Sequence, residues 1–343
     1  MSDSSNVADH CIRHALSDPN ENCFKADVCV HPHEEHCASC DELRNATEEV
    51  EAKVLNLTEL TADDQDDFLY MIRQAIEAIN AWKAHQLRST QQDKARIEIL
   101  ERLGETSIFL TNDWAMKFLP QKFRETQADW FAKRGISWHI SVVVRKVKGV
   151  IQHQTLVHIV RNTTQDAFTV IALLKHTLIQ IKREHPEIVT AFLRQDNAGC
   201  YHSVALSSAC RHLAKTGIKI ERVDFSDPQG GKGPCDRKAA TIKSHVRRYL
   251  NEGNDVTTPE QLYDAMVSHG GVSGVRVVLV DNANMHVSMA ECNLKGVNSF
   301  NNFLYEDKRC AQIKVWRAYD IGEGKQFPWS SLESRFRRNH FFF

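Results

Sequence analysis

The chain has 343 residues, of which 42% are hydrophobic and 25% charged, and its net charge is −1. That composition belongs to an ordinary globular protein of about two domains and excludes a chain built from membrane helices, since no run approaches the roughly 18–20 consecutive apolar residues one needs. The charge is unevenly spread: residues 1–70 hold 17 acids against 4 bases and residues 71–343 hold 27 against 39, so the basic body suits an anionic partner.

In chain order, residues 1–42 come first, acidic and poor in large apolar side chains. The start, MSDSSNVADHC, has neither the basic nor the apolar stretch of a secretory leader, so an intracellular protein with reduced thiols is expected. Between Cys29 and Cys40 the chain reads CVHPHEEHCASC. A C-x₂-C pair supplies two zinc ligands in one tight turn, and a segment that cannot fold by burial can fold on a metal. The expected ligands of one structural Zn²⁺ are Cys29, His33, Cys37 and Cys40. His31 stands with Cys29 and His33 as a candidate for the pair opposite the C-x₂-C, His36 lies nearby, and Cys11 and Cys23 could join or replace a ligand.

Residues 43–104 read as a helical linker or helical domain. Leu69, Ile72, Ile76 and Ile79 recur at helical spacing. Thr61 and Asp64 resemble a capping box, and Gly104 suits a C-cap. After Gly104 the period changes. Residues 107–111 form a short apolar run ending in Asn112-Asp113, residues 135–146 alternate in polarity, and 154–161 read as a strand able to pair with them. A helix over 165–185 follows, then a buried strand over 188–193 ending in Gln195-Asp196-Asn197. A helix (203–216), a strand (218–225), a glycine-rich loop, and a helix opening at Asp236 come next, then a helix (259–269) and a strand (275–280). Strands that cluster first and then alternate with helices imply a mixed sheet with helices on its faces. Residues 105–285 are taken as this core and 286–343 as a C-terminal extension; its last residues, RFRRNHFFF, read like an interrupted C-terminus.

Asp113 and Asp196 end strands and Asp236 opens a helix, the places where α/β sheets build sites. Carboxylates gathered there repel unless cations neutralise them, and hard oxygen ligands suit Mg²⁺ or Mn²⁺. Asp at a strand end or a helix start is also ordinary turn and cap chemistry, so the argument rests on the three together. Arg237, Lys238 and Lys243 follow on the helix, and Lys232 sits in the preceding Gly-Lys-Gly loop; glycines and a helix N-terminus favour contact with phosphates.

Three segments carry a family resemblance: TNDWAMKFLPQKFRETQADWF, FLRQDNAGCYHS and DFSDPQGGKGPCDRKAATIKSHV. They resemble the first-, second- and third-acid regions of acidic-triad DNA transposases of eukaryotic cut-and-paste elements, over about residues 105–252. Eighty-two residues separate Asp113 from Asp196 and thirty-nine separate Asp196 from Asp236; the short second gap is similar to that of these enzymes. The resemblance implies a ribonuclease H-like α/β catalytic core. It implies Asp113, Asp196 and Asp236 as ligands of two Mg²⁺ or Mn²⁺ ions, with Lys232, Arg237, Lys238 and Lys243 contacting DNA. Most relatives carry Glu as the third acid, so Asp224, Asp227 and Asp281 are rivals to Asp236. No complete domain for finding transposon ends is legible. The expected function is metal-dependent phosphodiester hydrolysis and strand transfer on DNA, with a transposon-derived non-catalytic binder and a nuclease of the same fold as alternatives. The expected partners are DNA and further copies of the chain on it, with neither a membrane nor a small-molecule substrate, and the expected location is the nucleus.

Overall fold

A computed structural model describes residues 2, 4–25, 29, 31–131, 133–161, 164–227, 233–281, 296–306 and 312–331. The chain divides into two compact units, residues 1–95 with 316–325, and residues 96–315 with 326–343.

In the first unit a single helical turn, α1 (Ile12–Ala15), precedes α2 (Ala38–Leu55) and most of the long α3 (Ala62–Arg102). The Thr61 hydroxyl donates to Asp64 (2.6 Å) and accepts the Asp64 N–H (3.2 Å), which caps α3 as the sequence suggests. The 316–325 strap is tied to the N-terminal segment by side chains and backbone. Arg317 pairs with Asp18 (2.7 Å) and Glu21 (3.0 Å) and lies 4.8 Å from the Phe24 ring centre, and the Gly324 N–H donates to the Cys23 carbonyl (2.8 Å).

The second unit is built on the strands β1 (Ser107–Trp114), β2 (Ser137–Val147), β3 (Val150–Arg161), β4 (Thr190–Gln195), β5 (Lys219–Phe225), β6 (Val275–Asp281), β7 (Asn302–Glu306), β8 (Gln312–Trp316) and β9 (Lys325–Pro328). They form one sheet in the order β6-β3-β2-β1-β4-β5-β7-β8-β9. β1 runs antiparallel to β2 and parallel to β4, which is parallel to β5. The expected β2–β3 hairpin is present. Its turn is Lys148-Gly149, both at positive φ (49° and 78°), the two-residue turn whose twist matches paired strands. The C-terminal extension adds β7–β9 to the far edge, three short strands that the sequence reading did not anticipate.

Two helices each cover one face. On one, α6 (Pro234–Asn251) and α7 (Pro259–Val267) pack Ile242, Val246, Leu250 and Leu262 against Trp138, Ile140, Val142, Val157 and Ile159. On the other lie α4 (Ala167–Glu184) and α5 (Val204–Leu213), where His176 of α4 meets His158 of β3 at 2.9 Å. Residues alternate between faces along a strand, so Asp113, like Thr111 and Phe109, belongs to the α6 face. No helix among the described residues is long and apolar enough to cross a membrane.

Candidate active site

The acids converge because β1 and β4 are parallel and in register. Asn112 is opposite Gln195, so one residue further Asp113 and Asp196 leave neighbouring strands side by side, about 5 Å apart at the sheet spacing. Asp236 arrives from α6. Its neighbour Cys235 is buried, with Sγ 3.4 Å from the Thr111 carbonyl and 3.7 Å from that of Ile140, which pins the start of α6 over β1 and β2. Asp236 itself accepts the Gly233 N–H at 2.8 Å, so one of its oxygens also caps the helix.

The site is charged and partly enclosed. Asp113 is half-buried, while Asp196 and Asp236 are exposed. Burial first, then the charges of Asp196 and Asp236, push the Asp113 carboxyl up to about 7. Burial followed by the Asp113 charge also raises the Cys235 thiol and holds the Tyr201 hydroxyl well above its ordinary value. On the other face of the sheet, His139 is fully buried and pushed down to about 3 by loss of solvent, edge-on to Trp114 at 5.1 Å. The three acids bring like charges together. The surplus negative charge is left for something else to neutralise, and three carboxylates are the hard-oxygen donors that a divalent ion takes.

Two of the rival acids lie elsewhere. Asp281 ends β6, three strands away from β1, and pairs with Arg161 at 3.8 Å. Asp224 is buried in β5, held by Arg222 (2.8 Å) and Asn302 (2.6 Å). Asp227 is buried in the segment after β5. Of the expected DNA contacts, Lys232 lies outside the described residues. Arg237 is exposed and Lys238 half-buried, and both line a cavity of about 640 Å³ with Phe109, Val142 and Val144. Lys243 is turned toward the sheet, its Nζ 6.0 Å from the Trp138 ring centre.

The four residues expected to share one Zn²⁺ fall into two groups. Cys29 and His33 stand with Cys11 and His31; Cys37 and Cys40 stand with His10. Among the described residues these are the groups of three or more possible ligands whose donor atoms all lie within 4.8 Å of one another; the three aspartates are more widely set. His10 was missed because nothing in the sequence shows that adjacent His10 and Cys11 serve different groups.

A core ordered β3-β2-β1-β4-β5, with β2 antiparallel to its neighbours and the remaining pairs parallel, makes the second unit a ribonuclease H-like domain. The chain belongs to the family described as Domain of unknown function (DUF8701), whose model matches residues 92–301. No curated protein sequence matches it. Among solved structures it is similar to the Mn-soaked nuclease domain of human cytomegalovirus terminase (12% identity, TM-score 0.24, covering 53% of this chain and 68% of that one). It is also similar to the Mos1 mariner paired-end complex with Mn (11%, 0.26, covering 52% and 56%) and to the Mos1 transposase paired-end complex with left transposon end (9%, 0.27, covering 68% and 80%). Likenesses this distant carry no activity across.

Proposed function

We propose that the ribonuclease H-like domain cleaves and joins DNA phosphodiesters, as the acidic-triad transposases it resembles in sequence do. Asp113, Asp196 and Asp236 would hold two Mg²⁺ or Mn²⁺ ions. The observation that carries this reading is the placement of Asp113 beside Asp196 on parallel neighbouring strands, with Asp236 charging the same spot from α6 and the Asp113 carboxyl lifted to about 7. Two divalent ions bound there would polarise the attacking water or 3′-hydroxyl and steady the leaving oxygen. The chain's own groups supply the rest. Asp113 and Asp196, leaving neighbouring parallel strands, would hold the ions together with Asp236. Arg237 and Lys238 at the start of α6 would engage the DNA backbone and set the scissile phosphate against the acids. Lys243, turned toward Trp138, supports the helix from behind instead.

The test fuses the chain to an unrelated DNA-binding domain and measures nicking and strand joining near the tethered site in Mg²⁺ or Mn²⁺. Cleavage lost in Asp196→Asn, with binding retained, is the expected result. If wild type and Asp196→Asn both bind without nicking, the domain is a DNA-binding module that no longer cleaves. Cleavage without joining would make it a nuclease.

A further inference from the structure

We propose that residues 10–40 hold two zinc ions in separate, interleaved sites, one between Cys11, Cys29, His31 and His33 and the other between His10, Cys37 and Cys40. The proposal is independent of the nuclease reading, because these residues lie in the first unit and the acids in the second.

The first site has the dimensions of a zinc tetrahedron. Cys11 Sγ lies 3.6 Å from Cys29 Sγ and 3.6 Å from His31 Nε2. Ligands about 2.3 Å (sulfur) and about 2.0 Å (nitrogen) from a tetrahedral centre stand roughly 3.3–3.8 Å from one another. The two sulfurs are far beyond the ~2.05 Å of a disulfide. All four donor atoms fall within 4.8 Å of one another. Cys11 is fully buried, and His33 carries a buried ring nitrogen, Nε2, with no hydrogen-bond partner. Such a nitrogen is costly unless something ligates it. His31 Nε2 also lies 3.1 Å from the Ser5 carbonyl, a contact that ligation would replace. Two thiolates and two imidazoles are the donor set of a closed structural zinc site, softer than the oxygens that hold Mg²⁺.

The second site grows from the start of α2. Cys37 is the residue before the helix and Cys40 lies in its first turn, so C-x₂-C presents two sulfurs to one side; His10 Nε2 reaches Cys40 Sγ at 3.3 Å. Three protein ligands leave a fourth place. Beside Cys40 a cavity of about 190 Å³, lined also by Asp9 and Lys83, has the room and the polar groups for a water ligand. The neighbours His10 and Cys11 point to different ions, and the 29–33 and 37–40 segments likewise divide between them. The short 3₁₀ turn Ala8–His10, the residues Cys29, His31 and His33, and the start of α2 are thereby cross-braced.

The test is metal counting on the full chain carrying Asp196→Asn, which weakens the carboxylate site so that it adds no zinc. Two equivalents of tightly held zinc are expected. Cys11→Ser and His10→Ala should each lose one equivalent, and His10→Cys, which keeps a ligand, should retain both. Substituting Co²⁺ should give thiolate charge-transfer absorption from two thiolates per ion, filling in two steps. One equivalent, unaffected by His10→Ala and Cys11→Ser, would restore a single site at Cys29, His33, Cys37 and Cys40 and overturn the proposal. No zinc, with a Cys11–Cys29 disulfide in the purified protein, would overturn it equally.

Discussion

Trp138, Ile140, Val157 and Ile159 of the sheet unit are buried to within 1% of complete, and the helices above them add Ile242, Val246 and Leu262 at the same level. In the first unit, by contrast, the residues ahead of α2 bury only Cys11, Ile12 and Phe24 among their described apolar side chains, while α2 and α3 leave Leu55, Tyr70, Met71 and Trp82 exposed. The sheet unit is held by the hydrophobic effect, at roughly 1.5–3 kcal/mol per large buried side chain. The N-terminal segment is held by Arg317, by backbone contacts to the 316–325 strap, and by two knots of Cys and His. A chain can thus depend on burial in one unit and on ligation in the other, and the two should fail under different treatments.

The largest separation should come from chelation. A structural zinc contributes on the order of 10 kcal/mol to the fold that binds it. Stripping metal with a strong chelator should abolish hydrogen-exchange protection in residues 4–40 and leave β1–β5 protected. Parallel loss in both regions would show that the units are not independently stabilised.

The converse perturbation is Trp138→Ala. Trp138 is fully buried between β2 and α6, with Nε1 donating to the Met116 carbonyl at 3.0 Å. Its removal should cost about 3–5 kcal/mol, read as a lowered denaturation midpoint of the sheet unit, with zinc content unchanged.

The same contrast decides what could be read from the sequence. β2 was legible because Ile136, Trp138, Ile140, Val142 and Val144 alternate with polar residues or with the other face, β3 as a second run able to pair with it, and Asp113 and Asp196 as strand-end acids because an apolar run precedes each. Strand order was not. Asp281 ends an apolar run as convincing as those of β1 and β4, and only its pairing with β3 at the opposite side puts it away from Asp113. β7–β9 are four or five residues long, too short to show a period. Proximity along the chain also hides how the cysteines and histidines group. Four ligands within twelve residues suggested one ion, whereas the fold brings His10 and Cys11 in from a distance and divides the set.

A smaller effect should follow in the strap. Gly322 has φ +72°, and a Cβ there would meet the Cys23 carbonyl at 2.6 Å and Phe24 Cα at 2.7 Å. Gly322→Ala combines left-handed strain with a backbone clash, about 2–3 kcal/mol. It should loosen the contact of residues 316–325 with residues 18–24 and be invisible in the sheet. Equal destabilisation of the sheet unit would mean that the strap supports both.

Asp113 is where the sheet unit departs from its own rule, and the smallest predicted effect has the opposite sign. Its carboxyl ionises at about 7 in the fold against an ordinary 3.8. The native state therefore holds a proton that the unfolded state has released, and stability falls as pH rises from about 4 to about 7. Below pH 3.8 both states are protonated and the penalty is absent; above about pH 7 it is present in full. The shift corresponds to roughly 4 kcal/mol, but partial access to water screens it, so about 2 kcal/mol is expected. In metal-free protein Asp113→Asn should thus raise stability by about 2 kcal/mol at pH 8 and leave it unchanged at pH 3.5, measured by denaturant unfolding at both pH values. Mn²⁺ at pH 8 should stabilise wild type and do much less for the variant, and its affinity for wild type should drop as pH falls through 7, where protons compete for the same oxygens. An Asp113→Asn variant no more stable than wild type at pH 8 would mean that Asp113 is not crowded by Asp196 and Asp236, and would remove the electrostatic basis for a divalent site there.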